Sequence, residues 1–248
     1  MGVAIVTGVS RRIGIGAAVA RRLADAGWDL FLHSWSPHDA EQPWGADVEG
    51  SAAVVAELGT QVRVEHLAAD LADPHAPAQL LAAAENAFGR VDVLVANHAR
   101  SSVATLEELT AAELDFSYAV NTRATMLLVK EFAARCPGPG RVVLMTSGQH
   151  RGPMPSELPY IASKGALHQV TASLAAHLAP RGITVNTVDP GATDTGYADA
   201  AAHAAVLALE PMGRWGEPDD AARLIAWLAS DESRWVTGQV LVSNGGGP

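Results

Sequence analysis

Short runs of apolar residues recur along the chain, each followed by a longer stretch whose apolar positions return with helical spacing. The runs are Val3–Val6, Leu30–Leu32, Val62–His66, Val91–Ala96, Arg141–Thr146, Ile183–Val188 and Gln239–Val242. They are short, rich in β-branched residues and mostly unalternating, the pattern of parallel strands covered on both faces. Helical patterns lie between them, among them Ala17–Ala26, Ala76–Phe88, Leu114–Arg135 and Tyr160–Ala179. Strand and helix in alternation, with few hairpin signals, predict an α/β fold, a doubly wound parallel sheet in one domain over residues 1–248. Right-handed crossovers then bring all strand carboxyl ends to one edge, where such sheets bind ligands.

Two stretches interrupt the pattern. Ser34–Glu49, with Trp35, Pro37, Pro43, Trp44 and Gly45, is expected as a long loop after the second strand. Thr193–Trp215 follows Pro190-Gly191 and carries Tyr197 and an alanine-rich stretch of helical character. Loops of this length at a ligand edge carry specificity, close as lids, or decorate the surface.

Composition narrows the classes. With 48% hydrophobic and 18% charged residues, the chain is globular rather than disordered. A net charge of −10 disfavours nucleic acid and anionic membrane as partners. No apolar run approaches the roughly 18–20 residues that span a bilayer, and the opening Met1–Val6 is too short for a secretory apolar region. Cys136, the single cysteine, has no partner for an internal disulfide, which fits a reducing cytoplasm. The expectation is a cytoplasmic protein with a small-molecule partner and no metal.

Candidate chemistry begins at Thr7-Gly8-Val9-Ser10-Arg11-Arg12-Ile13-Gly14, where the first strand meets the first helix. Glycines at such a junction let backbone N–H groups approach a pyrophosphate, and the helix N-terminus adds partial positive charge. A tight packing turn has the same sequence signature, but two arginines beside it in an acidic protein favour an anion. Further along, Tyr160 and Lys164 are four residues apart and share one helix face. A phenol that titrates near 10 is too weak an acid for neutral-pH proton transfer. A neighbouring ammonium favours the phenolate. Ser147 closes the fifth strand thirteen residues before Tyr160, and its hydroxyl is placed to hold a substrate oxygen.

With these residues in this order, the sequence resembles the short-chain dehydrogenase/reductase family in its single-domain form, most closely its 3-oxoacyl-carrier-protein-reductase-like branch. That family's turn reads Thr-Gly-x-x-x-Gly-x-Gly; Gly8 and Gly14 match its first and last glycines, and Arg12 replaces the middle one. The resemblance implies catalytic roles for Asn121, Ser147, Tyr160 and Lys164, with Asn121 supporting a water relay to Lys164. It implies cofactor contacts from Gly8, Ser10, Arg11, Arg12, Ile13, Gly14, Ser34, Asp70, Leu71, Asn97, Tyr160, Lys164, Pro190, Gly191, Thr193 and Thr195. For Asp70 a helix-capping role is equally open. Where the family has Asn-Asn-Ala-Gly, this chain has Ala96-Asn97-His98-Ala99; His98 is either a site residue or a packed, hydrogen-bonded one. Ala99 requires a negative φ. A homotetramer, with Trp235 between subunits, is likewise implied.

The second strand ends at His33-Ser34-Trp35 with no acid to hold a ribose 2′-hydroxyl, so NADP(H) is favoured over NAD(H). The activity expected is hydride transfer between that cofactor and a ketone, a 3-oxoacyl-type carbonyl or the corresponding alcohol. The rival reading is a nucleotide-binding regulator or scaffold without catalysis. A longer sugar-nucleotide-modifying relative would need a substrate domain for which 248 residues leave no room.

Overall fold

The computed structural model describes residues 2–247. Seven parallel strands form one sheet: β1 (Val3–Val6), β2 (Asp29–Ser34), β3 (Val64–Ala68), β4 (Val93–Ala96), β5 (Gly140–Met145), β6 (Ile183–Asp189) and β7 (Val240–Val242). Their order is β3-β2-β1-β4-β5-β6-β7, so the winding reverses between β1 and β4. β1 pairs with β2 through Ile5 and Phe31, and with β4 through Ile5 and Leu94. That reversal opens a crevice at the carboxyl ends, the general ligand position of such sheets.

The unalternating runs are explained by two separate cores. Ala4, Val6, Leu30, Leu32, Val93, Val95, Val143 and Met145 point to one face and pack with helices α1 (Ile15–Asp25), α3 (Gly50–Leu58) and α9 (Pro218–Ala229). Ile5, Phe31, Leu94, Val142, Leu144 and Val185 point to the other and pack with α4 (Ala76–Phe88), α6 (Ala124–Arg135) and α7 (Leu158–Leu178). Each strand residue therefore meets an apolar layer whichever way it points.

Several boundaries differ from the sequence expectation. β3 starts two residues later than Val62, because the Val62 amide still bonds the Leu58 carbonyl at the end of α3. The long loop after β2 contains a short helix, α2 (Pro37–Ala40), and α3 follows it. The continuous helix expected over Leu114–Arg135 begins earlier, as α5 (Ala111–Ser117), and passes through a π turn over Tyr118–Arg123 before α6. The alanine-rich stretch forms α8 (Ala200–Leu207). Among the described residues no helix is long and apolar enough to cross a membrane, and no grouping of side chains suits a metal ion.

Candidate active site

The glycine turn is held from behind by side chains. Gly8 has φ 75, and a Cβ there would lie 2.7 Å from the His98 Cα, so both conformation and space require glycine. Asn97 Nδ2 donates to the carbonyls of Thr7 (3.0 Å) and Gly8 (3.1 Å). His33 Nδ1 accepts the Gly8 N–H at 3.3 Å while Nε2 donates to the Ala69 carbonyl at 2.9 Å. Burial lowers the His33 pKa to about 4, which keeps the ring neutral for these two bonds. Helix α1 opens at Gly14 with neither a side-chain cap nor an acid in its first turn. Its N-terminal amides are therefore suited to an external anion.

In front of the turn lies a cavity of about 390 Å³, within the range of small-molecule sites. Of the candidate residues, Gly8, Ser10, Arg11, Gly14, Asp70, Leu71, Asn97 and Thr195 line it. His98 and Ala99 line it too, and so do His38, Asp39, Arg100 and Phe116, which were not singled out from sequence. His38 Nε2 accepts the Ser101 N–H at 3.2 Å, carrying α2 across the mouth to the loop after β4.

The remaining candidates do not line the cavity. Arg12 pairs with Asp47 (2.9 Å) and Glu49 (2.8 Å) on the insertion after β2, and holds the Asp47 carboxyl far below its usual range. Arg11 instead lies over the Trp44 ring at 6.0 Å. Ile13 is exposed, and Ser34 is buried with its hydroxyl 2.8 Å from His66 Nε2. Asp70 caps no helix: it accepts the Ala72 N–H in a local turn, and α4 begins after His75. Ala99 has a negative φ, since among the described residues only glycines have positive φ.

The catalytic candidates gather beside the carboxyl ends of β5 and β6. Ser147, in extended conformation after β5, has its side chain close enough to the Tyr160 phenol to influence its titration. Burial raises the Tyr160 pKa well above its ordinary value, and the Ser147 side chain partly opposes this. Lys164 lies 5.9 Å from the Tyr160 ring centroid and donates to the Met145 carbonyl at 3.1 Å. Its burial lowers its pKa to about 8. Asn121, in the π turn, accepts the Arg100 N–H at 2.7 Å and donates to the Arg100 carbonyl (3.0 Å) and to Ser163 Oγ (2.9 Å). Ser163 Oγ in turn donates to the Tyr160 carbonyl at 2.7 Å.

A buried ion pair ties the far side together. Asp189, at the end of β6, accepts the Gly191 N–H at 3.0 Å and the Arg151 Nε–H at 3.0 Å. Arg151 belongs to the loop after Ser147, so this carboxylate joins the catalytic-serine loop to the Pro190-Gly191 turn. Gly191 has φ 65, and Thr193 Oγ1 donates to the Pro190 carbonyl at 3.0 Å. Neither Arg151 nor Asp189 stood out in the sequence, where an arginine after a serine and an aspartate before Pro-Gly carry no periodic or spacing signal. The Tyr197 ring packs edge-on against Trp44 (6.2 Å) and Trp215 (6.0 Å), bringing the loops after β2 and β6 into contact.

A family model described as enoyl-(acyl carrier protein) reductase, of the short-chain alcohol dehydrogenase type, matches residues 8–247. The oxidoreductase YjdA of Bacillus subtilis is 42% identical over 248 residues, covering 98% of this chain and 96% of that protein. A short-chain dehydrogenase of Burkholderia cenocepacia solved with NADP is 36% identical, with a TM-score of 0.88 over 99% of this chain and 97% of its own. A blue fluorescent protein from a metagenomic library, solved with NADPH, is 34% identical, with a TM-score of 0.89 over the same shares. On the family model, these relatives and the parallel sheet they share, the chain belongs to the short-chain dehydrogenase/reductase family of NAD(P)-dependent oxidoreductases.

Proposed function

We propose that this oxidoreductase uses NADPH to reduce a ketone or 3-oxoacyl-type carbonyl to an alcohol, or runs the reverse oxidation, with Tyr160 as proton donor or acceptor. The observation that carries this reading is the Lys164 amine buried beside the Tyr160 ring, with the Ser147 side chain near the phenol. Gly8, Ser10, Arg11, Gly14, Asn97 and Thr195 are placed to hold the dinucleotide, and the uncapped α1 start and Arg11 suit its phosphates. Bound reduced nicotinamide supplies the hydride.

The chain's own residues do the rest. Ser147 and Tyr160 hold the carbonyl oxygen through two hydroxyls, fixing its distance and angle to the reacting face. Tyr160 gives its proton to that oxygen as negative charge develops there. Burial keeps the phenol protonated, the state reduction requires. The Lys164 ammonium stabilises the phenolate left behind. Asn121 fixes the loop after β4 and Ser163, and so the start of α7 on which Tyr160 and Lys164 stand.

Preference for NADPH is supported by Arg11 at the cavity wall, by the absence of an acid at the end of β2, and by the NADP and NADPH bound in two relatives. Asp39 and Glu41 also line the cavity and weigh the other way, although Asp39 accepts the Trp44 indole N–H. A homotetramer fits the near-complete exposure of Trp235, at 95%, with Leu106 and Val103 also exposed. The buried free thiol of Cys136 fits a cytoplasmic setting.

The test is a parallel titration with NADPH and NADH, followed by a panel of ethyl acetoacetate, an aryl ketone, an aldehyde and an enone. Tighter NADPH binding with oxidation of NADPH by the keto ester or ketone supports the reading. Binding without turnover across the panel would favour a regulator, and turnover of the enone alone would move the chemistry to C=C reduction.

A further inference from the structure

His98 stands where the related motif carries alanine, and the reaction as described gives it no part. Its ring is buried, 6% exposed, between the end of β1 and the π turn that bears Asn121. Nε2 lies 3.1 Å from the Val120 carbonyl, which can only accept, so Nε2 carries the proton. Nδ1 then accepts from the Thr7 hydroxyl at 2.8 Å, and the His98 N–H donates back to that hydroxyl at 3.2 Å. Burial, with the nearby His33 and Lys164, holds the ring neutral with a pKa of about 3. One nitrogen thus grips the strand end that leads into the glycine turn. The other grips the residue beside Asn121, whose amide reaches Ser163 at the start of the Tyr160–Lys164 helix.

An alanine at this position would reach neither group. The Thr7 hydroxyl would still accept the backbone N–H of position 98, but its own proton would be left with only the long 3.4 Å contact to the Val95 carbonyl, and the wider π turn would lose a bond at one of its carbonyls. Turns of this kind often mark functional sites, because their backbone groups look outward for partners.

We infer that His98 is a positioning residue that ties the glycine turn, through Thr7, to the π turn holding Asn121, keeping the cofactor and proton-transfer ends of the cleft in register. The inference rests on the hydride-transfer reading above. Its two bonds can be separated chemically. The Asn amide oxygen reaches the place of Nδ1 and accepts from Thr7, but leaves Val120 without a donor. The Gln amide nitrogen reaches the place of Nε2 and donates to Val120, but leaves Thr7 with only the distant Val95 carbonyl as acceptor.

The experiment measures NADPH Kd by fluorescence, and kcat with ethyl acetoacetate, for the wild type, His98→Asn, His98→Gln and His98→Ala. His98→Gln is expected to weaken NADPH about tenfold with a smaller loss in kcat, the size of one lost hydrogen bond. His98→Asn is expected to show the opposite split, with kcat down about tenfold and Kd within about twofold. His98→Ala loses on both counts. Parallel movement of Kd and kcat in the Asn and Gln variants, or no movement in either, would overturn the inference. If the His98 variants do not fold, Thr7→Val reads the tether from the other side. It should weaken NADPH as His98→Gln does, and an unchanged Kd would contradict the tether. Should the wild type bind NADPH yet reduce nothing, the hydride-transfer reading fails, while the Kd comparison still decides the Thr7 bond.

Discussion

At the glycine-turn end of the cleft, His33, His98 and Asn97 bond to backbone groups or to Thr7, and Arg12 is held by two carboxylates. At the other end, Tyr160 is half-buried and Lys164 buried, with their titrations displaced in opposite directions. Both ends are polar and both are shielded from water, but they use burial differently. The first satisfies its side chains internally and offers a fixed cradle of amides, Arg11 and the α1 terminus to a ligand of fixed charge. The second leaves a phenol and an amine where a small change in nearby charge moves a proton. Binding and chemistry are thus separated along one sheet edge, and substitutions at the two ends should fail in different ways.

Large effects are expected at the reacting end, beside that of Tyr160 itself. Lys164→Met should lower kcat about a hundredfold by removing the cation that stabilises the phenolate. Its pH behaviour sharpens the point. Burial takes the amine from 10.5 to about 8, so it is charged below that value and neutral above it. Reductive kcat/KM, which reports the free enzyme, should therefore fall as pH rises through about 8. Lys164→Met should lack that limb, and an identical limb in the variant would assign it to another group.

Next comes the ion pair that joins the catalytic-serine loop to the turn after β6. Asp189→Asn keeps an acceptor for Gly191 but removes the charge facing Arg151. It should cost about 2–3 kcal/mol in urea unfolding, since one partner of a largely buried pair remains. The smallest effects separate the two arginines of the glycine turn. Arg11→Ala should weaken NADPH about tenfold and NADH much less, as expected for one charged hydrogen bond. Arg12→Ala should leave NADPH affinity within about twofold, its guanidinium being spent on an exposed pairing with Asp47 and Glu49. Equal losses in the two variants would erase the distinction drawn between them.

What was legible in the sequence was local. The strands were readable because each is apolar on both faces; the glycine turn and the shared helix face of Tyr160 and Lys164 were local signals that gained weight only together and from the family resemblance. The seven-stranded sheet follows from that alternation. Helix α3 was missed because Gly50–Leu58 is apolar nearly all round and has no strong amphipathic face. The π turn has no periodic signature, since one extra residue per turn is set by packing around Asn121 and Val120. For Arg12 the sequence suggests a phosphate contact, and the fold adds partners it could not show, Asp47 and Glu49, across more than thirty residues. The Arg151–Asp189 pair and the double bond of His98 are likewise products of topology, visible once β1, β4, β5 and β6 lie side by side.

The most direct test of the account is Tyr160→Phe, measured for NADPH affinity and for reduction of the best carbonyl in the panel. The account predicts a Kd within about twofold of wild type and a fall in kcat of about a thousandfold, the scale of a lost general acid. A variant that keeps most of its turnover would contradict it, and the proton would have to come from another group.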